Sequence, residues 1–123
     1  MKYSSSFYYD LEIGEKAESW VNDIFSGGRK IEVKTDFKAD KTKNIFIEIY
    51  SRGKLSGLST TIAEYWIIKL NKVSFIISTI DLKQLVRHCH KLNGYIKGGD
   101  DNTSLGVLIP IKLLFDENIS NNI

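Results

Sequence analysis

Lys30-Ile31-Glu32-Val33-Lys34-Thr35-Asp36, seven residues from Phe37 to Lys43, then Asn44-Ile45-Phe46-Ile47-Glu48-Ile49-Tyr50: the pairing of these two segments decides how the chain is read. Both alternate with the period of a strand. In the first, Glu32, Lys34 and Asp36 share one face and Ile31, Val33 and Thr35 the other. In the second, Glu48 lies between two aromatic residues on one face, with three isoleucines on the opposite one. If Phe37 to Lys43 closes a hairpin, antiparallel partners keep a constant sum of residue numbers. A register with Asp36 opposite Glu48 then sets Lys34 opposite Tyr50. Two carboxylates and an ammonium would converge.

Adjacent carboxylates repel, so a fold leaves them in water or places a cation between them. Magnesium suits the second case, because it is a hard ion that takes one or two carboxylates, retains water and leaves positions for phosphate oxygens. A neighbouring lysine would orient the attacking water or offset charge on the phosphorane. The alternative is that Glu32, Lys34 and Asp36 form the wet face of an amphipathic strand.

The wider pattern resembles the PD-(D/E)xK nuclease superfamily, and in particular small phage and archaeal-type Holliday-junction resolvases. Gly14-Glu15-Lys16-Ala17-Glu18 resembles their first-helix G-x-x-A-E pattern, Asp36 their first strand acid and Glu48 their second. Arg52-Gly53-Lys54-Leu55-Ser56-Gly57, followed by Thr60-Thr61-Ile62-Ala63-Glu64-Tyr65-Trp66, is similar to the loop and helix after the catalytic strands, and Gly98-Gly99-Asp100 to a late loop. The resemblance implies an α/β domain with a mixed central sheet and a restriction-endonuclease-like core. It also implies a DNA endonuclease using Mg2+, or Mn2+ in its place, acting on branched DNA as a homodimer. Asp36, Glu48 and the Ile49 carbonyl would hold the metal, and Glu18, or Glu15 in its stead, would supply the helix acid. Arg52, Lys54 and Ser56 would contact phosphates. Where the superfamily has lysine two residues after the second acid, this chain has Tyr50, so Lys34 or Lys54 is the candidate replacement.

Size and charge bound these readings. At 123 residues the chain has the size of one domain with one core. A net charge of +2 excludes a global basic field. Any phosphate track is therefore local, with Arg29, Lys30, Lys38, Lys41, Lys43, Arg52 and Lys54 clustered around the proposed hairpin. The single cysteine excludes an internal disulfide, which suits a reducing cytoplasm. No opening hydrophobic leader is visible, and no apolar run reaches the ~20 residues a membrane span needs.

Further elements follow from periodicity. Ile13, Ala17, Trp20, Val21 and Ile24 recur at helical spacing over 13–25, with Glu18 beside that stripe, and Phe7 to Leu11 reads as a short edge strand. Ile62, Ala63, Trp66, Ile67 and Leu70 predict a second helix capped near Thr60 or Thr61. Val73 to Ser78 reads as a strand. Asp81 would cap a third helix buried through Leu82, Leu85, Val86 and Cys89 and ended by Gly94. His88-Cys89-His90 lacks a second ligand pair for zinc. Gly98 to Ser104 reads as a loop, Leu105 to Ile111 as a last strand closed by Pro110, and Asn118 to Ile123 as a frayed tail.

Overall fold

Ile45, Ile47, Val107 and Ile109 are all at most 1% exposed and lie on one face of two neighbouring strands. Everything else in the computed structural model, which describes residues 4–116, is arranged around that apolar face. The elements, in chain order, are helix α1 (Ser4–Phe25), strand β1 (Ile31–Thr35), a single helical turn α2 (Ala39–Thr42), β2 (Asn44–Ser51), β3 (Lys54–Leu55), β4 (Tyr65–Lys69), β5 (Ser74–Ser78), helix α3 (Thr79–Asn93), β6 (Ile96–Gly98) and β7 (Ser104–Pro110). The result is a mixed α/β fold flanked by helices.

The strands form two sheets in place of one central sheet. A three-stranded mixed sheet has the order β1-β4-β5 and a four-stranded antiparallel sheet the order β3-β2-β7-β6. The expected β1–β2 hairpin is therefore absent. β1 pairs in parallel with β4, Glu32 beside Trp66 and Lys34 beside Ile68, whereas β2 pairs with β3 and β7. Asp36 consequently does not oppose Glu48, nor Lys34 Tyr50. The physical reason lies at the end of β1. Asp36 Oδ1 accepts the Ala39 N–H at 3.2 Å and Oδ2 accepts the Phe46 N–H at 3.0 Å. The first bond turns the chain into α2, and the second fastens that corner to the edge of β2.

The helix expected after Thr60 is strand β4. Trp66, Ile68 and Leu70 are buried at 3%, 0% and 3% exposure, so period two prevails, as β-branched and aromatic residues on a packed surface favour. β4 turns directly into β5, with Leu70 N–H bonded to the Val73 carbonyl at 2.9 Å. Phe7 to Leu11, read as an edge strand, belongs to α1. The third helix matches its expected buried face, but its cap is Ser78, whose Oγ accepts the Asp81 N–H at 3.1 Å. Asp81 itself sits in the first turn, where a negative charge favours the helix dipole. A short strand, β6, precedes the region read as a loop and overlaps it only at Gly98. The last strand appears one residue earlier than expected and ends at Pro110. Asn118 to Ile123 lies outside the described residues.

Buried residues of β2, β4, β7 and α3, with Leu58 and Ala39, form one hydrophobic cluster. α1 contributes little to burial: Ile24 is 1% exposed, while Leu11, Ile13, Trp20, Val21 and Phe25 remain substantially exposed. Among the described residues, Trp20 of this helix meets Tyr65 edge-on at 6.0 Å.

Candidate functional site

β1 is oriented against simple burial. Glu32 and Lys34 share the face of their buried neighbours Trp66 and Ile68, whereas Val33 is 62% exposed. Burying apolar surface would favour the reverse orientation. Exposed Glu32 and half-buried Lys34 line an open cleft of about 290 Å³ between the two sheets, together with Val33, Phe46, Glu48, Gly57, Trp66 and Gly99. Lys34 Nζ stands 6.0 Å from the centre of the Phe46 ring, at the limit of a cation–π contact. Glu32 Oε2 accepts the Thr61 hydroxyl at 3.2 Å.

Glu48 is the most firmly held group in this cleft. Ser56 Oγ donates to Oε2 at 2.8 Å and Ser104 Oγ to Oε1 at 2.5 Å. One serine follows β3 and the other opens β7, so both edges of β2 contribute to fixing the carboxylate. The backbone has to come close for this to happen. Gly57 has φ +57°, and a Cβ there would lie 2.3 Å from the Glu48 carbonyl oxygen; a Cβ on Gly106 would lie 2.4 Å from that of Ile47. Neither position accepts a larger residue without moving β2.

A bulge decides what happens two residues after Glu48. Glu48 pairs with Gly106, yet Tyr50 pairs with Leu105, the very next residue of β7. Paired residues share a face and consecutive residues alternate, so Tyr50 lies on the opposite face of the sheet from Glu48. Tyr50 meets Tyr95 edge-on at 5.7 Å. The Ile49 carbonyl beside the bulge accepts the Ser56 N–H at 2.9 Å and the Ser59 hydroxyl at 2.7 Å.

Of the residues singled out in the sequence, Lys34 and Glu48 both line the cleft, and Ser56 is tied to it through its hydrogen bond to Glu48. Asp36 is half-buried, with both oxygens engaged by backbone N–H groups, and it does not line the cleft. Glu18 is exposed on α1 in a surface groove with Ala17, Val21 and Asn22; Glu15 is exposed on the same helix. Arg52, at φ +51°, and Lys54 are exposed on the turn joining β2 to β3. Arg29 is engaged elsewhere: its guanidinium binds Asp23 at 2.8 Å and Glu64 at 3.4 Å, and the Asp23 hydrogen bond and charge, followed by those of Glu64, raise its already high pKa. Cys89 is 1% exposed, and burial raises its thiol pKa.

Glu32 and Ser104 were missed in the sequence as members of the site. Glu32 shares its strand parity with Lys34, a signal that was present. Ser104 gave none, because its role depends on β7 pairing with β2.

Among the described residues, no group of three or more His, Cys, Asp or Glu side chains is placed to hold a metal. Glu32 and Glu48 nevertheless turn two carboxylates toward one cleft, a donor set that fits a hydrated Mg2+. The two other metal ligands implied by the resemblance, Asp36 and the Ile49 carbonyl, do not line this cleft; like Glu48 they are already hydrogen-bonded, in their case to backbone and hydroxyl donors.

No protein-family profile, no curated protein and no solved structure matches this chain. Among the described residues, no helix is long and apolar enough to cross a membrane.

Proposed function

We propose that the protein is a divalent-cation-dependent DNA endonuclease that hydrolyses phosphodiester bonds in the cleft between β1 and β2. In this reading the fold is a rearranged restriction-endonuclease-like core, and the substrate is branched DNA of the Holliday-junction type. The observation that carries the proposal is that Lys34 and Glu32 of β1 line one cleft with a Glu48 already oriented by two serines.

Glu48 and Glu32 are the residues that would hold Mg2+ or Mn2+, which when bound supplies Lewis acidity toward a phosphate oxygen and an acidified water. Ser56 and Ser104 keep the Glu48 carboxylate in one orientation, so little reorganisation is required when charge develops. Lys34 offers its ammonium to the scissile phosphate or to the attacking water. Exposed Arg52 and Lys54 hold flanking phosphates, which position a duplex without reading its sequence.

Symmetric cleavage of a four-way junction needs two such clefts, hence a homodimer. The exposed apolar residues of α1 provide a surface for that contact. The buried lone thiol suits a reducing cytoplasm. A second reading, a nucleic-acid-binding relative without activity, is favoured by Tyr50 lying across the sheet from Glu48. A gel assay comparing a four-way junction, a flap, a nicked duplex and single-stranded DNA, with Mg2+ or a chelator, tests both. Mg2+-dependent cutting of the junction is expected; binding without cutting of any substrate would leave the second reading.

A further inference from the structure

On the opposite side of β2 from Glu48, three aromatic rings run in contact from α3 to the strand. His90 and Tyr95 have centroids 4.2 Å apart at an interplanar angle of 41°, and Tyr95 meets Tyr50 edge-on. A groove of about 270 Å³ opens beside them, with Ile49, Leu58 and Val86 as its apolar part and Lys83 and Arg87 as its cations. The two cations are four residues apart on α3, which places them one above the other on a single helix face. Both are exposed, and neither forms an ion pair with a described residue. Tyr95 is 42% exposed despite its two ring contacts.

Exposed ring surface next to unpaired cations is the pairing of features that single strands require: bases stack on aromatic faces while the backbone follows positive charge. A duplex keeps its bases stacked inside and would use only the cations. An acidic peptide without aromatic side chains would meet the cations but offer the ring no stacking partner. We infer that this groove binds a stretch of single-stranded nucleic acid, with a base against Tyr95 and the adjoining phosphates on Lys83 and Arg87. The inference rests on the proposed function only in taking DNA as the natural ligand, and it adds a second grip, one that engages unpaired strand.

The test uses fluorescence anisotropy of a short labelled oligothymidine and the full chain, with a chelator present so that no cleavage interferes. Tyr95→Ala should weaken binding about 10-fold or more, as the loss of one stacked base does, whereas Tyr95→Phe, which keeps the ring, should bind as the parent does. Arg87→Ala should reduce the slope of log affinity against log salt by about 0.7. Lys112→Ala, the same loss of charge away from the groove, should leave it unchanged. Two results would overturn the inference: parent-like binding by a Tyr95→Ala protein with an intact circular dichroism spectrum, or an equal loss of affinity for the matching duplex. Tyr95-dependent binding without Mg2+-dependent cleavage would sink the proposed nuclease activity alone. Cleavage without such binding would sink the groove alone.

Discussion

Replacing Asp36 separates a structural carboxylate from a metal-binding one. Its two oxygens accept the Ala39 and Phe46 N–H groups at 3.2 and 3.0 Å, and its own N–H donates to the Lys69 carbonyl at 2.9 Å. Asp36→Asn keeps one acceptor oxygen and turns an NH2 group toward the remaining N–H, losing one charge-assisted bond. Such a bond contributes about 1.5–3 kcal/mol. The site is half-buried, so the lower end applies, about 1.5 kcal/mol for Asp36→Asn and about 3 kcal/mol for Asp36→Ala. For a domain of this size, roughly 4 °C of melting temperature per kcal/mol gives losses of about 6 and 12 °C. The assay is thermal and urea denaturation in chelator, followed by cleavage rates measured where each variant is folded. Stability should fall in that order while the rate per folded molecule stays close to the parent's. Variants that melt with the parent but fail to cleave would refute this reasoning and return Asp36 to the metal.

Lys34→Ala should slow single-turnover cleavage by ~100-fold or more, within the range for proton-transfer assistance, while Lys54→Ala should mainly weaken binding and its salt dependence; the opposite pattern would move the catalytic role to the turn. Glu48→Gln should abolish Mg2+-dependent cleavage with little change in melting temperature, since an amide still bonds to both serine hydroxyls; full activity would remove Glu48 from the site. Burial raises the Cys89 pKa in the folded state, so its contribution to stability is fully present below the unfolded thiol pKa of about 8.5 and is lost as pH rises above it. Denaturation midpoints should therefore fall more steeply at alkaline pH in the parent than in Cys89→Ala, and parallel profiles would contradict this.

The local patterns in the sequence carried β2, β5, α3 and β7, because each is an apolar repeat whose partner faces lie in one core. β4 was misread, since Ile62, Ala63, Trp66 and Leu70 also fit helical spacing, and the alternation of Trp66, Ile68 and Leu70 wins only once parallel pairing with β1 is available. That pairing joins residues more than thirty positions apart, as in Glu32 with Trp66, and no local signal announces it. The connection from Phe37 to Lys43 had hairpin length, but Asp36 drew it into a helical turn. In the site, Lys34 and Glu48 were legible as charges on strands, though the cleft they share belongs to two sheets. The bulge that turns Tyr50 away forms opposite Gly106 and Leu105, which are distant in sequence.

The two serines that hold Glu48 are very unequal in chain distance, eight residues away for Ser56 and 56 for Ser104. The first is synthesised almost together with the acid; the second follows much later, once β7 has been made and can pair with β2. A growing or truncated polypeptide therefore carries Glu48 tethered on one side and free to rotate about the other. The carboxylate acquires its fixed direction only when β7 joins β2, so pairing of the sheet is the step that arms the cleft.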